Sequence, residues 1–515
     1  MSSLKLRNIQ GNSLGGFNKD FQANLFLKFQ SDTAGRAWIK EISDQVEASS
    51  SADVIQFNTQ FSSLKAEGVA KPEELISAVW VNLALSFEGL KALKLKANDL
   101  AMFPSAFQEG MAKRKALLGD VAASDPSMWI PPFNNPSYVH AVLIVAADHS
   151  HELQKKVAAI TATTTFKAGV SVLLDQAGMT RPDLPGHEHF GFKDGISQPG
   201  IRGVDTPDDP IGNSHQGHPG QDLLWPGEFI IGYGTQILTS KADFDGPNPD
   251  TGADSKSGPD WTADGSYLVF RRLRQDVAGF ERMVAALAHS QGWSIELAGA
   301  KLVGRYKSGA PIEKRKFQQE PYTPPSTDPG DSRTGNPSLG KSNNLNNNFE
   351  FGDDPAGAVC PLSAHIRKAY PRDEFTPAGD PPGKPEDSES NTQTRRLLRR
   401  GIPYGAPFVA HDPASAKVDR GLLFFCYQND IESHFEFVQQ FWVNNPNFPP
   451  PPPEGPHVAR TPGEDPIIAQ SASGPMLVEP TKAPISINHF VTTTGGEYLF
   501  SPSINTLRGI GDGSI

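Results

Sequence analysis

The chain has 515 residues, 37% of them hydrophobic and 20% charged, which suits a globular protein of two or three domains with a large buried core. Its 47 Lys and Arg against 58 Asp and Glu leave a formal net charge of −11; this argues against a nucleic-acid partner or an anionic membrane surface, because both need a basic face. Only two cysteines are present, Cys360 and Cys426, so there is neither a disulfide framework nor a CxxC motif, and both read as buried thiols.

In chain order, the N-terminal Met1-Ser2-Ser3-Leu4-Lys5-Leu6-Arg7 lacks the continuous apolar stretch of a signal peptide, and no later run is long enough to span a bilayer. That favours a cytoplasmic protein, and a form trimmed from a secreted precursor fits as well. Alternating apolar residues predict strands over 22–29, 78–86, 138–147 and 169–175, and helical spacing marks 34–46 and 151–161, with a helical insertion over about 87–118. The order β-α-β-β-α-β is that of a ferredoxin-like unit, an antiparallel sheet with its helices on one face. The second half repeats the theme less cleanly, with strands over 229–233, 267–272, 422–427 and 497–500 and helices over 277–290 and 431–443. The expected fold is therefore α+β, two ferredoxin-like antiparallel β-sheet modules with peripheral helices, the first over 1–215 and the second over 216–515. Long loops rich in Gly, Pro, Asn and Asp occupy 243–260, 318–348 and 376–391, and 449–453 is a polyproline connector.

One stretch carries unusual chemistry. In His189-Phe190-Gly191-Phe192-Lys193-Asp194-Gly195-Ile196-Ser197-Gln198-Pro199-Gly200, a carboxylate sits among glycines and phenylalanines, where burial would be costly and would raise its pKa. Gly191-Phe192-Lys193-Asp194-Gly195 resembles the GFxDG signature of the dye-decolourising peroxidases. Further segments agree in the same order: Asn8-Ile9-Gln10-Gly11-Asn12, Ala364-His365-Ile366-Arg367-Lys368 with Pro371-Arg372, Arg399-Arg400-Gly401-Ile402-Pro403-Tyr404-Gly405, and Leu422-Leu423-Phe424 before Cys426-Tyr427-Gln428. The resemblance spans the chain almost from end to end. It implies a peroxidase with haem b (iron protoporphyrin IX) in its second module, reducing hydrogen peroxide and oxidising bulky aromatic or dye-like donors by one-electron steps. Whether the chain is a monomer or a homo-oligomer stays open.

The resemblance also implies roles. His365 is the expected fifth ligand of the iron, through a neutral imidazole. Asp194 is the candidate distal acid/base, and Arg399 the candidate stabiliser of charge on the leaving oxygen, with Arg400 as the fallback. Leu422 and Phe424 are expected to line the pocket, and Arg305 to meet a haem propionate. Each has a plainer reading: a capping histidine, a turn aspartate, a solvated basic helix face for Arg395, Arg396, Arg399 and Arg400, core packing, and a surface ion pair. Bulky donors that cannot pass Phe424 would be oxidised through Trp225, Trp261, Trp442, Tyr404 or Tyr427. A carboxylate acid/base predicts best activity under acid conditions. Two rivals remain at this stage. His187, His189, Asp194, His215 and His218 cluster in sequence and could hold a non-haem metal. Alternatively, a haem-binding or haem-handling protein without turnover would use His365 but would not need Asp194 and Arg399 together.

Overall fold

The computed structural model describes residues 3–44, 48–206, 216–237, 251–313, 323, 325–328, 346–374, 388–451, 461–470, 475–480 and 482–515. In the first half, strands β1 (Phe21–Phe29), β2 (Val79–Ser86), β3 (Ala141–Ala147) and β4 (Val170–Met179) lie in the order β4-β1-β3-β2, all neighbours antiparallel. Helix α1 (Asp32–Asp44) follows β1, and α2 (Ser150–Ala162) follows β3. The second half repeats this plan. Strands β5 (Ser266–Gln275), β6 (Leu398–Arg399), β7 (Ile402–Tyr404), β8 (Gly421–Gln428) and β9 (Val491–Ser501) run β9-β5-β8, with β6 and β7 both paired to the free side of β8 and helix α3 (Val277–Gln291) following β5.

The modules merge where β9 pairs β2, Leu499 with Ser86 and Phe500 with Leu85, so nine strands form one antiparallel sheet. The sheet's far ends meet too. A Cβ on Gly178 of β4 would come within 2.6 Å of Ile402 Cγ2 on β7, so that approach needs a glycine. Inside the curl, rings from both modules pack edge-on or tilted in one cluster. Phe26 lies 4.7 Å from Phe133 and 4.8 Å from Phe270, and Phe270 lies 4.8 Å from Phe425. Gln10, from the Asn-Ile-Gln-Gly segment, ties the halves at the seam: its amide donates to Leu83 O (2.8 Å) and Pro502 O (2.7 Å) and accepts from Leu83 N (2.8 Å).

Most predicted elements form, with shifted ends. The exception among strands is 229–233, which is a turn after the 3₁₀ segment Pro226–Glu228. Its apolar residues are buried, Phe229 and Ile230 at 0% exposure, and a short continuous apolar run carries no period that separates a strand from a buried turn. Helices Ser51–Ala66, Ile295–Val303 and Ile504–Asp512 were not expected. The helix at 431–443 is present but wound as π-helix over Glu432–Glu436 and Val438–Val443. The loops 318–348 and 376–391 fall largely outside the described residues, as do residues 243–250 of the loop 243–260 and residues 452–453 of the polyproline run.

One strand residue makes stability depend on pH. Glu497 of β9 is buried, and that burial pushes its carboxyl up to about 8 despite a hydrogen bond from Tyr498 N. The unfolded chain releases this proton near the ordinary carboxyl value, so the group's contribution to stability is complete at low pH and is lost as pH rises to about 8. Glu497→Gln, which cannot ionise, is expected to melt like the parent near pH 5 and a few degrees higher at pH 8. Equal melting temperatures at both pH values would show that the carboxyl is not held protonated.

Candidate active site

The site lies on the outer face of the second module's sheet, and strand alternation puts it there. Along β8, Leu423, Phe425 and Tyr427 enter the barrel core, while Leu422 and Phe424 turn to the other side. Along β5, Leu268 and Phe270 face inward and Arg271, Leu273 and Gln275 outward. The outward residues, with Val491 of β9, line a pocket completed by Phe190 and Phe192, by Ile366 of α4 (His365–Ala369), by Val438 and Val443 of the π-wound helix, and by Ile467. Leu422 and Phe424 therefore belong to the pocket lining and to a core cluster at once.

His365 opens α4 and faces this pocket. Its Nδ1 bonds Asp465 Oδ2 at 2.8 Å, and Asp465 is itself buried, with Oδ1 accepting from Ile467 N (2.7 Å) and Ile468 N (3.1 Å). Both carboxylate oxygens are thus occupied, and the ring is locked as the Nδ1–H tautomer. Burial works against a charged imidazole, but the Asp465 carboxylate outweighs it and holds the His365 pKa above its ordinary value. Nε2 has no hydrogen-bond partner among the described residues, so it is the atom left to bind a ligand. Sequence reasoning missed Asp465 because it lies 100 residues away and no local pattern marks it.

Asp194 and Arg399 line the same pocket and meet there. Arg399 Nη1 donates to Asp194 Oδ1 at 3.1 Å, and Gly195 N donates to the same oxygen at 2.6 Å. The glycines of the motif have a reason: Gly191 and Gly195 have φ of +92° and +78°, a region that L side chains rarely enter. Arg399 is clamped through its backbone, since the Gln198 amide donates to Arg399 O (2.8 Å) and accepts from Arg399 N (3.2 Å). Both side chains remain about a third exposed, 36% for Asp194 and 29% for Arg399. Arg400 is engaged elsewhere, donating to Asn12 O (2.9 Å), Ser13 O and Leu14 O (both 3.1 Å) at the end of the short helix Gly11–Leu14. The solvated basic helix face, the plainer reading of 395–400, does not form: the chain leaves a helix at Gln393 and enters β6, with Arg396 buried and Arg400 half-buried.

A second feature of the pocket is surplus positive charge. Arg305 is 4% exposed rather than at the surface, and its Nη2 donates to Ser197 Oγ and Asn347 Oδ1, both at 3.0 Å. Burial, and then the neighbouring Arg372 and Arg399, push its pKa down to about 9. Arg372 shares Asn347 Oδ1 at 2.6 Å, and Arg396 pairs with Asp222 at 3.0 Å. Arg395 Nε and Arg396 Nη2 are buried without a partner among the described residues. Unsatisfied guanidinium nitrogens beside an apolar, aromatic-walled pocket with one partnerless imidazole nitrogen fit a flat, apolar, iron-bearing group with anionic arms. Haem has that chemistry, and these residues suit it.

Among the described residues, the alternative metal cluster does not assemble. His187 Nδ1 bonds Pro185 O (2.9 Å) and His189 Nε2 bonds Tyr404 O (2.8 Å); His218 is exposed, and His215 lies outside the described residues. No group of three metal-binding side chains is found among the described residues. Of the five aromatic residues considered for donor oxidation, Trp225, Trp442, Tyr404 and Tyr427 are buried, and Trp261 alone is half-exposed, its Nε1 on Asp99 Oδ2 at 3.0 Å.

Comparison with known proteins agrees with this geometry. Residues 8–182 match the family described as the DyP dimeric alpha+beta barrel domain, and residues 384–447 match the C-terminal Dyp-type peroxidase family. The dye-decolorizing peroxidase of Auricularia auricula-judae is 32% identical, over 99% of this chain and 87% of its own length. The structure of an ancestral D-type dye-decolorizing peroxidase superposes with a TM-score of 0.75 at 33% identity, covering 98% of this chain and 99% of that one. Another, of a dye-decolorizing peroxidase complexed with 2,6-dimethoxyphenol, gives 0.74 at 30% identity, covering 99% and 100%. With its fold, its pocket and these relatives in agreement, the chain belongs to the dye-decolorizing peroxidases, a family of haem enzymes.

Proposed function

We propose that the peroxidase reaction of this chain uses haem b, with His365 as iron ligand, Asp194 as the group that moves the peroxide proton and Arg399 as the group that stabilises charge on the departing oxygen. The observation that carries this assignment is the 3.1 Å pairing of Asp194 with Arg399 in the pocket that His365 also lines. Bound haem supplies the redox centre that peroxide oxidises and that donors reduce one electron at a time. The protein supplies the rest. Asp465 keeps the proton of His365 on Nδ1 and leaves Nε2 for iron. Arg396, with Nη2 unpartnered among the described residues, is placed to meet an anionic arm, and Arg305 and Arg372 add positive charge beside it, where bidentate geometry favours arginine. Hydrogen peroxide loses a proton from one oxygen and needs one on the other, and the Asp194 carboxylate can take and return it. Gln198 holds the main chain of Arg399, and Asp194 Oδ1 and Ser197 O hold its guanidinium, so the group is in place where negative charge develops. The relative solved with 2,6-dimethoxyphenol supports an aromatic donor for this chain too.

The test is the visible absorption spectrum of the purified or haemin-reconstituted chain, before and after one equivalent of peroxide. A Soret band that changes on peroxide and returns on adding an aromatic donor is expected. A Soret band indifferent to peroxide would overturn the proposal.

A further inference from the structure

We infer that Glu188 is a positioning residue whose carboxylate holds the Asp194 loop in register with Arg399. The inference rests on the assignment of proton transfer to Asp194. Glu188 precedes the Gly-Phe-Lys-Asp-Gly motif and makes four hydrogen bonds to residues 190–192, three of them to the motif itself. Oε2 accepts from Phe190 N and Oε1 from Phe192 N, both at 2.8 Å; Glu188 O accepts from Gly191 N (2.9 Å), and Glu188 N donates to Phe192 O (3.1 Å). A carboxylate matches this pair of backbone donors with one oxygen each, which a side-chain amide, with a single acceptor oxygen, cannot do.

The clamp is anchored to the sheet that carries the pocket. Gln275 of β5 donates from Nε2 to Glu188 Oε2 at 2.5 Å, while its own Oε1 is left buried without a partner among the described residues. Arg181 reaches the Glu188 carbonyl at 2.8 Å and not the carboxylate, and no cation pairs with that carboxylate among the described residues. Burial raises the Glu188 pKa, and the hydrogen bonds from Gln275, Phe190 and Phe192 oppose that rise. A carboxylate kept in an apolar wall with no countercharge, its acceptors spent on one loop and one strand, is there for those donors. The loop needs such a restraint, because Gly191 and Gly195 at positive φ give it little conformational preference of its own. Phe190, stacked on Phe280 of α3 at 4.2 Å, fixes one end, and Glu188 fixes the middle.

The experiment is a double-mutant cycle on the holoenzyme with Glu188→Ala, Glu188→Gln, Asp194→Asn and their combinations. It reads kcat/KM for peroxide and for donor separately, together with amide hydrogen exchange over residues 189–196, with and without haem. Glu188→Ala is expected to lower kcat/KM for peroxide at least tenfold, to leave the donor step within twofold, and to speed exchange at Phe190 and Phe192. Glu188→Gln, which keeps the volume and one acceptor, falls between. Neither substitution should slow the peroxide step further when Asp194 is already Asn. A Glu188→Gln or Glu188→Ala variant with parental peroxide kinetics and exchange overturns the inference, as does a loss that adds in full to that of Asp194→Asn. Parental peroxide kinetics in Asp194→Asn alone would overturn the Asp194 assignment itself, and this inference with it.

Discussion

Asp194→Asn is expected to lower the peroxide step by about 10²–10⁴-fold while haem content stays at the parental level, because a positioned proton-transfer group supplies roughly that factor. The substitution is nearly isosteric. Asn can still accept from Gly195 N through its oxygen, so the loop at 191–195 has no steric reason to move. What disappears is the basic oxygen proposed to receive the peroxide proton and the negative charge that Arg399 Nη1 meets at 3.1 Å. His365, Asp465 and the arginines near Asn347 are untouched, so the Soret band at rest should match the parent. Stopped-flow absorbance against peroxide concentration separates the effects: a slow, still second-order reaction with full haem occupancy supports the assignment. Peroxide reactivity within threefold of the parent, at equal haem content, would remove Asp194 from the mechanism.

How much of this was legible in the sequence depended on whether a residue's meaning was local. Strands 22–29, 78–86 and 422–427 were readable because alternation is a local property, and the β-α-β-β-α-β order of the first half suggested a ferredoxin-like unit before any contact was known, whereas the second half repeated it less cleanly. That the two sheets fuse through β2 and β9 was not readable, because the joint is only two residue pairs long. The Phe-Ile-Ile run at 229–231 misled for the complementary reason: burial on all sides erases periodicity, and a buried turn then looks like a strand. At the site, Asp194 stood out through its glycines, whereas Asp465 and Glu188 did not, since one acts across 100 residues and the other is one acidic residue in a polar loop. Arg399 was preferred to Arg400 because the resembling family places its arginine two residues before the glycine, and strand geometry gives that preference a physical reason. Adjacent residues at the end of a strand point to opposite sides, so β6, paired with Cys426 of β8, sends Arg399 to the pocket and leaves Arg400 to the Gly11–Leu14 helix.

That geometry gives the second large effect a built-in control. Arg399→Leu is expected to reduce the peroxide step by about 10²–10³-fold, the loss typical of removing one preorganised donor from developing negative charge. Arg399→Lys should fall between, since an ammonium keeps the charge but cannot span Asp194 Oδ1 and Ser197 O as the guanidinium does, at 3.1 and 3.4 Å. In both variants the backbone clamp from Gln198 is preserved, because it uses the main chain of residue 399 and not its side chain. Arg400→Gln should behave in the opposite way. It strips donors from the carbonyls of Asn12, Ser13 and Leu14, which lie where a short helix has no internal partners, so it should lower thermal stability and leave the peroxide reaction of the folded fraction close to the parent. Peroxide kinetics and melting temperature, measured on all three variants at equal haem content, separate chemistry from scaffold. If Arg400→Gln lost the peroxide step and Arg399→Leu kept it, the charge-stabilising role would pass to Arg400, the residue that follows β6, and the directions in which the chain presents these two neighbours would have to be reversed.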